Sequence, residues 1–295
     1  MKQAQAPRAS VIIPTYYDWP SLQHCLAALA RQTLPAPQFE VLIVNNAPKD
    51  PPPADMRWAE NVRLLHEARP GSYAARNAGL EAAKGELVAL VDADCMPEPK
   101  WLEAALANFE DPQLSLLAGH VALTFEGEKL TPAECFEKAF AFRQQENAEQ
   151  GVSVTANLIV RHSVFQTVGC FDEQLMSGGD FEWTGRATRR GHVMRYAADC
   201  VVTHPARHRL SELAAKARRV TAGSQVLYNE GALGGWRRVL GNLMGDVVSL
   251  WRRQDMTWRE RAWALAVLVY LKGVKAQQRL SAMLPWSSAR REAPR

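Results

Sequence analysis

Five apolar residues, Leu87 to Val91, run without interruption into two acidic residues, Asp92 and Asp94. An apolar run that follows Gly85 and precedes two prolines predicts a buried strand. Residues i and i+2 of an extended chain lie on one side, so both carboxylates should leave the strand together. Such paired oxygen ligands suit Mg²⁺ or Mn²⁺ already bound to a diphosphate. An isolated Asp-x-Asp is more often a solvated turn, so the rest of the chain must decide.

The first part of the chain alternates strand patterns with helix patterns. Strands are predicted at 10–16, 39–44 and 62–65, and helices at 21–32, 73–84 and 100–108, the first of them capped by Ser21. This alternation predicts an α/β fold with a mixed, mainly parallel central sheet flanked by helices. Ligands of such sheets bind beyond the carboxyl ends of the strands, where Thr15, Asn45 and Asn46 also lie.

The second part begins with one or two strands at 114–125. A helix is predicted at 132–149, strands at 152–160 and 196–203, and short helices at 163–168 and from Gly178 to Arg190. After His204 and Pro205 the pattern is helical at 211–229, 235–253 and 257–283. The chain is therefore expected to end in a helical C-terminal extension.

The composition fits a globular protein, with 47% hydrophobic and 22% charged residues and a net charge of +4. That charge is too small to indicate nucleic acid as a partner. The five cysteines are odd in number and form no C-x-x-C pair, which indicates a reducing compartment, buried thiols and no zinc site. The polar N-terminus leads directly into a strand, so no signal peptide is expected. No apolar run reaches the roughly 18 residues of a membrane span.

Five motifs occur in one order and spacing, and together they closely resemble the family 2 glycosyltransferases. They are Val11-Ile-Ile-Pro14-Thr15-Tyr16, Val41-Leu-Ile-Val-Asn45-Asn46, Ala75-Arg76-Asn77-Ala-Gly79, Val91-Asp92-Ala-Asp94 and Gly178-Gly179-Asp180-Phe181-Glu182-Trp183. The resemblance covers roughly residues 8 to 210. It implies the GT-A fold in residues 1–210, with a nucleotide-sugar half at 8–112 and an acceptor half at 113–210. Residues 211–295 would form the helical extension.

The resemblance also implies roles for single residues. The predicted donor-binding residues are Pro14, Thr15, Tyr16, Asn45, Asn46, Arg76, Asn77, Asp92 and Ala93. Asp94, Asp92 and His204 are the predicted ligands of Mn²⁺ or Mg²⁺. Asp180 is the predicted catalytic base, with Glu182 as a catalytic neighbour that orients acceptor or donor. Gly178, Gly179 and Trp183 are the predicted acceptor-binding residues. Relatives often carry Asp at the positions of Asn45 and Asn46, and Glu at that of Gly179.

Each assignment has a structural alternative. The two Asn residues are common in turns after strands, and Arg76 could be a surface residue paired with Glu81 or Glu67. Asp180 could cap a helix. Trp183 is as well suited to the core as to stacking on a sugar, and a lone His204 is more often structural than a ligand.

The resemblance implies an inverting glycosyltransferase that acts in cell-surface polysaccharide or glycolipid synthesis. It would move a sugar from a nucleotide-diphosphate donor, with a UDP-sugar favoured, to a hydroxyl of a saccharide or lipid-linked acceptor. Breaking the sugar–diphosphate bond builds negative charge that a metal ion neutralises. The alternative is a non-catalytic binding or scaffold protein, against which Asp92, Asp94 and Asp180 argue together.

The C-terminal region interleaves tryptophan with arginine, in Trp236-Arg-Arg, Trp251-Arg-Arg and Trp258-Arg-Glu-Arg and beside Trp263. Trp and Arg on amphipathic helices suit an anionic interface. The sequence therefore predicts a cytoplasmic protein with peripheral contact at the inner membrane. A helical lid over the catalytic domain is the alternative.

Overall fold

The computed structural model describes residues 6–228 and 243–283, and the side chains of 6–223 and 244–281. The described residues form two compact units. The first contains 6–124 and 142–205, and the second contains 125–141 with the described residues from 206 onward. The segment 125–141, which the sequence places in the acceptor half, thus groups with the C-terminal helices. The first unit ends at Pro205, and the predicted division of domains at residue 210 stays a prediction.

The first unit is built on an eight-stranded mixed sheet. Its strands are β1 (Ala9–Thr15), β2 (Phe39–Asn45), β3 (Val62–His66), β4 (Leu87–Val91), β5 (Met96–Pro97), β6 (Leu114–Thr124), β7 (Asn157–Arg161) and β8 (Val193–Pro205). Their order across the sheet is β3-β2-β1-β4-β7-β6-β8-β5. The pairs from β3 to β4 are parallel and so is β6 with β8, whereas β7 and β5 run antiparallel to their neighbours. The predicted mixed, mainly parallel sheet is confirmed.

Helices flank this sheet and also make up the second unit. They are α1 (Trp19–Leu29), α2 (Ser72–Ala82), α3 (Trp101–Asn108), α4 (Pro132–Phe140), α5 (Gln144–Glu149), α6 (His162–Val168), α7 (Gly179–Arg189), α8 (Leu210–Tyr228), α9 (Leu243–Arg252) and α10 (Trp258–Met283). The predicted C-terminal helices are present within the described residues. Trp236 and the predicted helix start at 235 lie outside them.

Two helix predictions differ from the structure for local reasons. The cap of α1 is Asp18 and not Ser21, because Pro20 is favoured in the first turn and Asp18 accepts the Ser21 N–H at 3.2 Å. The predicted helix 132–149 is two helices, α4 and α5. Between them Phe142 has φ 48°, a left-handed conformation that ends a right-handed helix.

The central strands are buried along their whole length, and this fixes the position of their ends. Every residue of β2 and β4 is buried. The strand predicted at 152–160 begins only at Asn157, because the N–H groups of Ser153 and Val154 bond to side chains of α7 and α5 instead of a neighbouring strand. The buried Asn157 amide joins β7 to the backbone of His120 and Cys200, where β6 and β8 shift register.

The second unit is a group of helices with its own buried residues. α4, α8 and α10 meet through small and branched apolar side chains, among them Ala133, Leu213, Val267 and Leu271. A reciprocal capping box between Thr131 and Glu134 starts α4. Among the described helices, none combines the length and the apolar character needed to cross a bilayer.

Candidate active site

The carboxyl end of β1 carries a buried hydroxyl and two exposed aromatic rings. Pro14 and Thr15 are its last residues, and the Thr15 side chain is buried with no hydrogen-bond partner for its hydroxyl among the described residues. Tyr16 and Tyr17 follow and are 45% and 57% exposed. Buried polar groups are normally paired, so this hydroxyl is an exception, and donor contact by Thr15 stays a prediction. The adjacent ring of Tyr16 offers a flat surface on which a base can stack.

The two asparagines after β2 use their side chains to hold loops. Asn45 is fully buried, donates to the Asp50 carbonyl at 2.9 Å and accepts the Ala47 N–H at 2.8 Å. Asn46 donates to the carbonyls of Glu67 and Arg69 and accepts the Gly71 N–H. Both Asn46 amide protons are therefore used within the protein. This geometry favours the turn-forming alternative, and donor contact by either residue stays a prediction.

Arg76 lies on α2 beneath the end of β4 and forms an ion pair with Asp92. The arginine is only 3% exposed, so the alternative of a surface residue is wrong. Its ion pair is with Asp92, and not with Glu81 or Glu67 as that alternative expected. Its Nε is buried without a hydrogen-bond partner among the described residues. A buried guanidinium with one unpaired donor can bind a further anionic oxygen. Ala93, the predicted donor-binding residue between Asp92 and Asp94, is buried as well.

Asp94 faces a histidine from the last strand of the sheet. The Nε2 of His204 lies 3.3 Å from Asp94 Oδ2, and its Nδ1 lies 2.7 Å from the Pro205 carbonyl. A carbonyl oxygen only accepts, so Nδ1 carries a proton there and, in the neutral ring, Nε2 presents a lone pair to the carboxylate. Two acceptors at this distance require a proton or a cation between them. A histidine whose other nitrogen donates to a carbonyl is also the usual arrangement of a metal ligand.

A third potential ligand atom, the thiol of Cys95, joins this pair. The ligand atoms of Asp94, Cys95 and His204 lie within 4.8 Å of one another. Burial, followed by the charges of Asp92 and Asp94, raises the pKa of the Cys95 thiol well above its usual value. A protonated thiol is a poor ligand for a hard ion. The set therefore fits a hard divalent cation held by Asp94 and His204, while the carboxylate of Asp92 is paired with Arg76.

Asp180 meets a tyrosine that the sequence reasoning did not single out. The Tyr73 hydroxyl donates to Asp180 Oδ1 at 3.2 Å and accepts the Asp180 N–H at the same distance. The guanidinium of Arg76 lies 5.8 Å from the centroid of the Tyr73 ring. Tyr73 precedes Arg76 by three residues on α2, and residues three apart share one face of a helix. One chain of contacts thus runs from Asp92 through Arg76 and Tyr73 to Asp180.

The two glycines before Asp180 have different structural tasks. Gly178 caps α7 in the left-handed region, at φ 81°, where glycine is favoured. A Cβ on Gly179 would lie 2.7 Å from the Tyr73 ring, closer than real Cβ atoms approach. Gly179 therefore permits the ring to approach α7, and this explains glycine where relatives often carry Glu. The helix is capped by Gly178, so Asp180 is not its N-cap. Acceptor contact by the two glycines stays a prediction.

The surroundings of Asp180 make its carboxyl less acidic. Burial raises its pKa, while the Phe181 N–H, the positive charge of Arg76 and the Tyr73 hydroxyl oppose this, and the net shift is upward. Burial also raises the pKa of the Tyr73 hydroxyl, so this group stays a neutral donor. A carboxylate with a raised pKa is a stronger base than an ordinary aspartate.

Trp183 and Glu182 are the other two residues of α7 with a predicted role in the site. Trp183 is 0% exposed, stacks on Phe165 with centroids 4.4 Å apart and donates to the Gly169 carbonyl. It cannot form a wall for a sugar, and its predicted acceptor role is wrong because the ring belongs to the core. Glu182 bonds Arg186 with both oxygens. Residues two apart on a helix face different sides, so this geometry favours a structural role. Its catalytic role stays a prediction.

Asn77 binds the loop that leads to α7. Its amide donates to the Phe171 carbonyl and to Glu173, each at 2.9 Å, and accepts the Phe171 N–H. The side chain is 4% exposed, and both of its polar atoms are hydrogen-bonded within the protein. It thereby helps to position the segment that carries Asp180, and direct donor contact stays a prediction.

The sequence missed Tyr73, Cys95 and Tyr17. The spacing of Tyr73 and Arg76 on one helix was the available signal for the first. Cys95 adjoins Asp94, but no spacing of cysteines marked it as part of a cluster. Tyr17 has φ 55°, and a bulky residue in this conformation indicates a constrained turn, which sequence patterns do not show.

Comparisons with known proteins agree with this arrangement. Residues 10–169 match the sequence model of glycosyl transferase family 2. Glycosyltransferase AglE of Haloferax volcanii is 37% identical over 223 residues, which are 74% of this chain and 73% of that protein. The pre-mycofactocin glycosyltransferase of Mycobacterium tuberculosis is 31% identical over 163 residues, 53% of this chain and 35% of that protein.

Solved structures share the fold of this chain. The mannosyltransferase PcManGT from Pyrobaculum calidifontis, in complex with GDP-Man and Mn²⁺, has a TM-score of 0.65 at 19% identity, over 95% of this chain and 89% of that one. S. aureus TarS 1–349 in complex with UDP-GlcNAc has a TM-score of 0.51 at 17% identity, over 95% and 76% of the two chains. The fold is GT-A, and the chain belongs to glycosyl transferase family 2.

Proposed function

We propose that this glycosyltransferase inverts the sugar it transfers, uses a nucleotide-diphosphate donor with a divalent metal ion, and acts in the synthesis of a cell-surface polysaccharide or glycolipid. The observation that carries the proposal is the contact chain Asp92–Arg76–Tyr73–Asp180. It joins a carboxylate at a strand end to a single carboxylate with a raised pKa. One base of this kind is what a direct displacement at the sugar requires.

Asp94 and His204 are the proposed metal ligands, since they face each other at 3.3 Å with the opposite histidine nitrogen bonded to a carbonyl. Mn²⁺ or Mg²⁺ would lower the cost of the negative charge that builds on the leaving diphosphate. PcManGT is a complex with Mn²⁺, which supports a divalent ion in this chain also. Asp92 would contribute through its pairing with Arg76 or through contact with the donor ribose.

The donor would bind across the ends of β1 and β4. The exposed Tyr16 ring would hold the nucleoside next to Thr15 at the end of β1, and the guanidinium of Arg76 would supply positive charge to the diphosphate. PcManGT and TarS are complexes with GDP-Man and UDP-GlcNAc, so both nucleotides are candidates, with a UDP-sugar favoured from the sequence.

Asp180 would take the proton of the acceptor hydroxyl as its oxygen attacks the anomeric carbon. Tyr73 would hold the carboxylate by its hydrogen bond at 3.2 Å. Arg76 lies near enough to lower the energy of the ionised form. The acceptor would be a saccharide or a lipid-linked saccharide, and the second of these would require the enzyme to reach a membrane surface.

The proposal is tested by incubating the full chain with a panel of UDP- and GDP-sugars, with saccharide and lipid-linked acceptors, in Mn²⁺, Mg²⁺ or EDTA. Proton NMR of the product reports the anomeric configuration. We expect one donor to be consumed only with a divalent ion, and a product whose anomeric configuration is opposite to that of the donor. Retained configuration would contradict the single-base mechanism, and full activity in EDTA would contradict the metal.

A further inference from the structure

The longest helix of the second unit is apolar on two opposite sides. Residues 262–271 of α10 contain no charged side chain, and their only polar side-chain groups are the Trp263 indole N–H and the Tyr270 hydroxyl. One side, which includes Val267 and Leu271, is buried against α4 and α8. The other side leaves Trp263, Val269 and Tyr270 exposed, with Val269 at 57%. A helix that is apolar all round is normally covered all round, so this exposed side indicates a surface that binds something.

The neighbouring helix α9 has an exposed apolar side of its own. Met244, Val248 and Trp251 follow at i, i+4 and i+7, so they lie on one face, and all three are exposed. The guanidinium of Arg261 lies 5.5 Å from the centroid of the Trp251 ring, which joins the end of α9 to the start of α10. We call the exposed residues Met244, Val248, Trp251, Trp263, Val269 and Tyr270 the apolar face.

Positive charge accompanies this face. Residues 206–295 contain 17 Lys and Arg against 6 Asp and Glu, a net charge of +11, whereas residues 1–205 carry 18 against 25, a net charge of −7. Arg252 and Arg259 are exposed next to Trp251 and to Trp258, which is itself 77% exposed. Tryptophan side by side with arginine is typical of helices that lie at a membrane interface, with the ring at the headgroups and the cation on an anionic lipid.

We propose that the apolar face of α9 and α10 binds the surface of an anionic bilayer. The uncharged run of α10 is ten residues long, which is about half of a membrane span, so the helix would lie in the interface and not cross it. A purely apolar partner would explain the exposed aromatic side chains but not the cations beside them. Such binding by the second unit would not depend on the reaction catalysed by the first.

Flotation of the full-length protein with vesicles tests the proposal. We expect it to float with vesicles of phosphatidylcholine and phosphatidylglycerol at low salt, to float less as salt is added, and to stay behind with phosphatidylcholine alone. Replacing Arg252 and Arg259 with Gln should weaken binding about fivefold for each arginine. Failure of the wild-type protein to float with anionic vesicles at low salt overturns the proposal.

Two variants separate the apolar face from charge alone. Val269→Glu places a carboxylate on the apolar face and should weaken binding on the order of tenfold or more. Val193→Glu makes the same change at an exposed residue of the first unit and should bind like the wild type. Circular dichroism and thermal melting establish that both variants fold. Equal binding by a folded Val269→Glu overturns the proposal.

Light scattering addresses the competing occupant, a second copy of the chain. We expect a monomer in vesicle-free buffer for the wild type and for Val269→Glu. A wild-type dimer that Val269→Glu converts to monomers would mean that a second copy covers the face, and it would overturn the membrane proposal.

Discussion

Single side chains at the site make the sharpest tests, and Asp180 is the first of them. Asp180→Asn keeps the size and the hydrogen-bond acceptor but removes the base. We expect kcat to fall about 10²–10⁴-fold, with the donor dissociation constant nearly unchanged. Steady-state kinetics and calorimetric donor titration measure the two. Asp199→Asn, at an exposed position, is the control. If Asp180→Asn keeps nearly full activity and Glu182→Gln is inactive, Glu182 and not Asp180 is the base.

The same residue predicts two pH effects. Only the ionised carboxylate is a base, so kcat/KM should fall as the pH drops through the pKa of Asp180, above the usual aspartate range. A carboxyl whose pKa is raised by folding stabilises the fold below its unfolded pKa and loses that contribution as the pH rises through the folded pKa. At neutral pH the ionised group therefore costs stability. Asp180→Asn should thus melt no lower than the wild type at neutral pH, and a clear loss of Tm would contradict this.

Tyr73→Phe tests the positioning hydroxyl. The ring, with its contacts to Phe171 and Gly179, stays in place, and only the bond to Asp180 is lost. Because that bond lowers the pKa of Asp180, its loss should move the acid limb of the pH–rate profile upward. We expect kcat to fall about tenfold, as for one hydrogen bond to a charged group. Tyr196→Phe removes a hydroxyl bonded to His120 and is the matched control. An unshifted profile would leave Tyr73 with a packing role only.

Asp94→Ala tests the metal pair. Loss of one ligand should abolish Mn²⁺-dependent donor binding while the protein stays folded, since the Asp94 side chain is about a third exposed. Titration of the donor with and without Mn²⁺ measures the effect, and His204→Gln should weaken it in the same direction. Donor affinity that is the same in EDTA and in Mn²⁺ for the wild type would contradict a metal-dependent donor site.

At the scale of elements, the close approach of α2 and α7 sets the distance between Tyr73 and Asp180. Gly179→Ala would place a Cβ 2.7 Å from the Tyr73 ring. We expect a destabilisation of about 1–3 kcal/mol, as in overpacked cores, and a loss of kcat. Gly273→Ala lies in α10, has open space around the new Cβ and has no positive φ, so it shows the effect of alanine in a helix without touching the site. Chemical denaturation and kinetics of both variants give the comparison. Full activity of Gly179→Ala would mean that the helices can separate without harm.

The sequence predicted most of the strands and helices, but it predicted less well the residues at which they begin and end. Hydrophobic periodicity gave β1, β2 and β4, because strands buried on both faces are uninterrupted apolar runs. It could not separate α4 from α5, because the left-handed Phe142 breaks the chain at a residue with no turn signature. It also made β7 too long, since its preceding residues bond to side chains distant in sequence.

At the scale of the whole molecule, the sequence by itself determined the fold class, the family and the strand ends at which the carboxylates lie. Those features depend on the order of apolar runs, glycines and acidic residues along the chain, and this order can be read from the sequence directly. The opposite net charges of the two parts, −7 and +11, are likewise a property of sequence alone.

Only the tertiary structure decided which side chains meet. Tyr73 and Asp180 are 107 residues apart and share a hydrogen bond, and Asp94 reaches His204 because β5 and β8 pair next to the strand end. The burial of Trp183 is decided in the same way, by Phe165 and Phe171 from other segments. Such contacts depend on how strands are ordered and how helices approach them, and the spacing of residues along the chain does not contain that information.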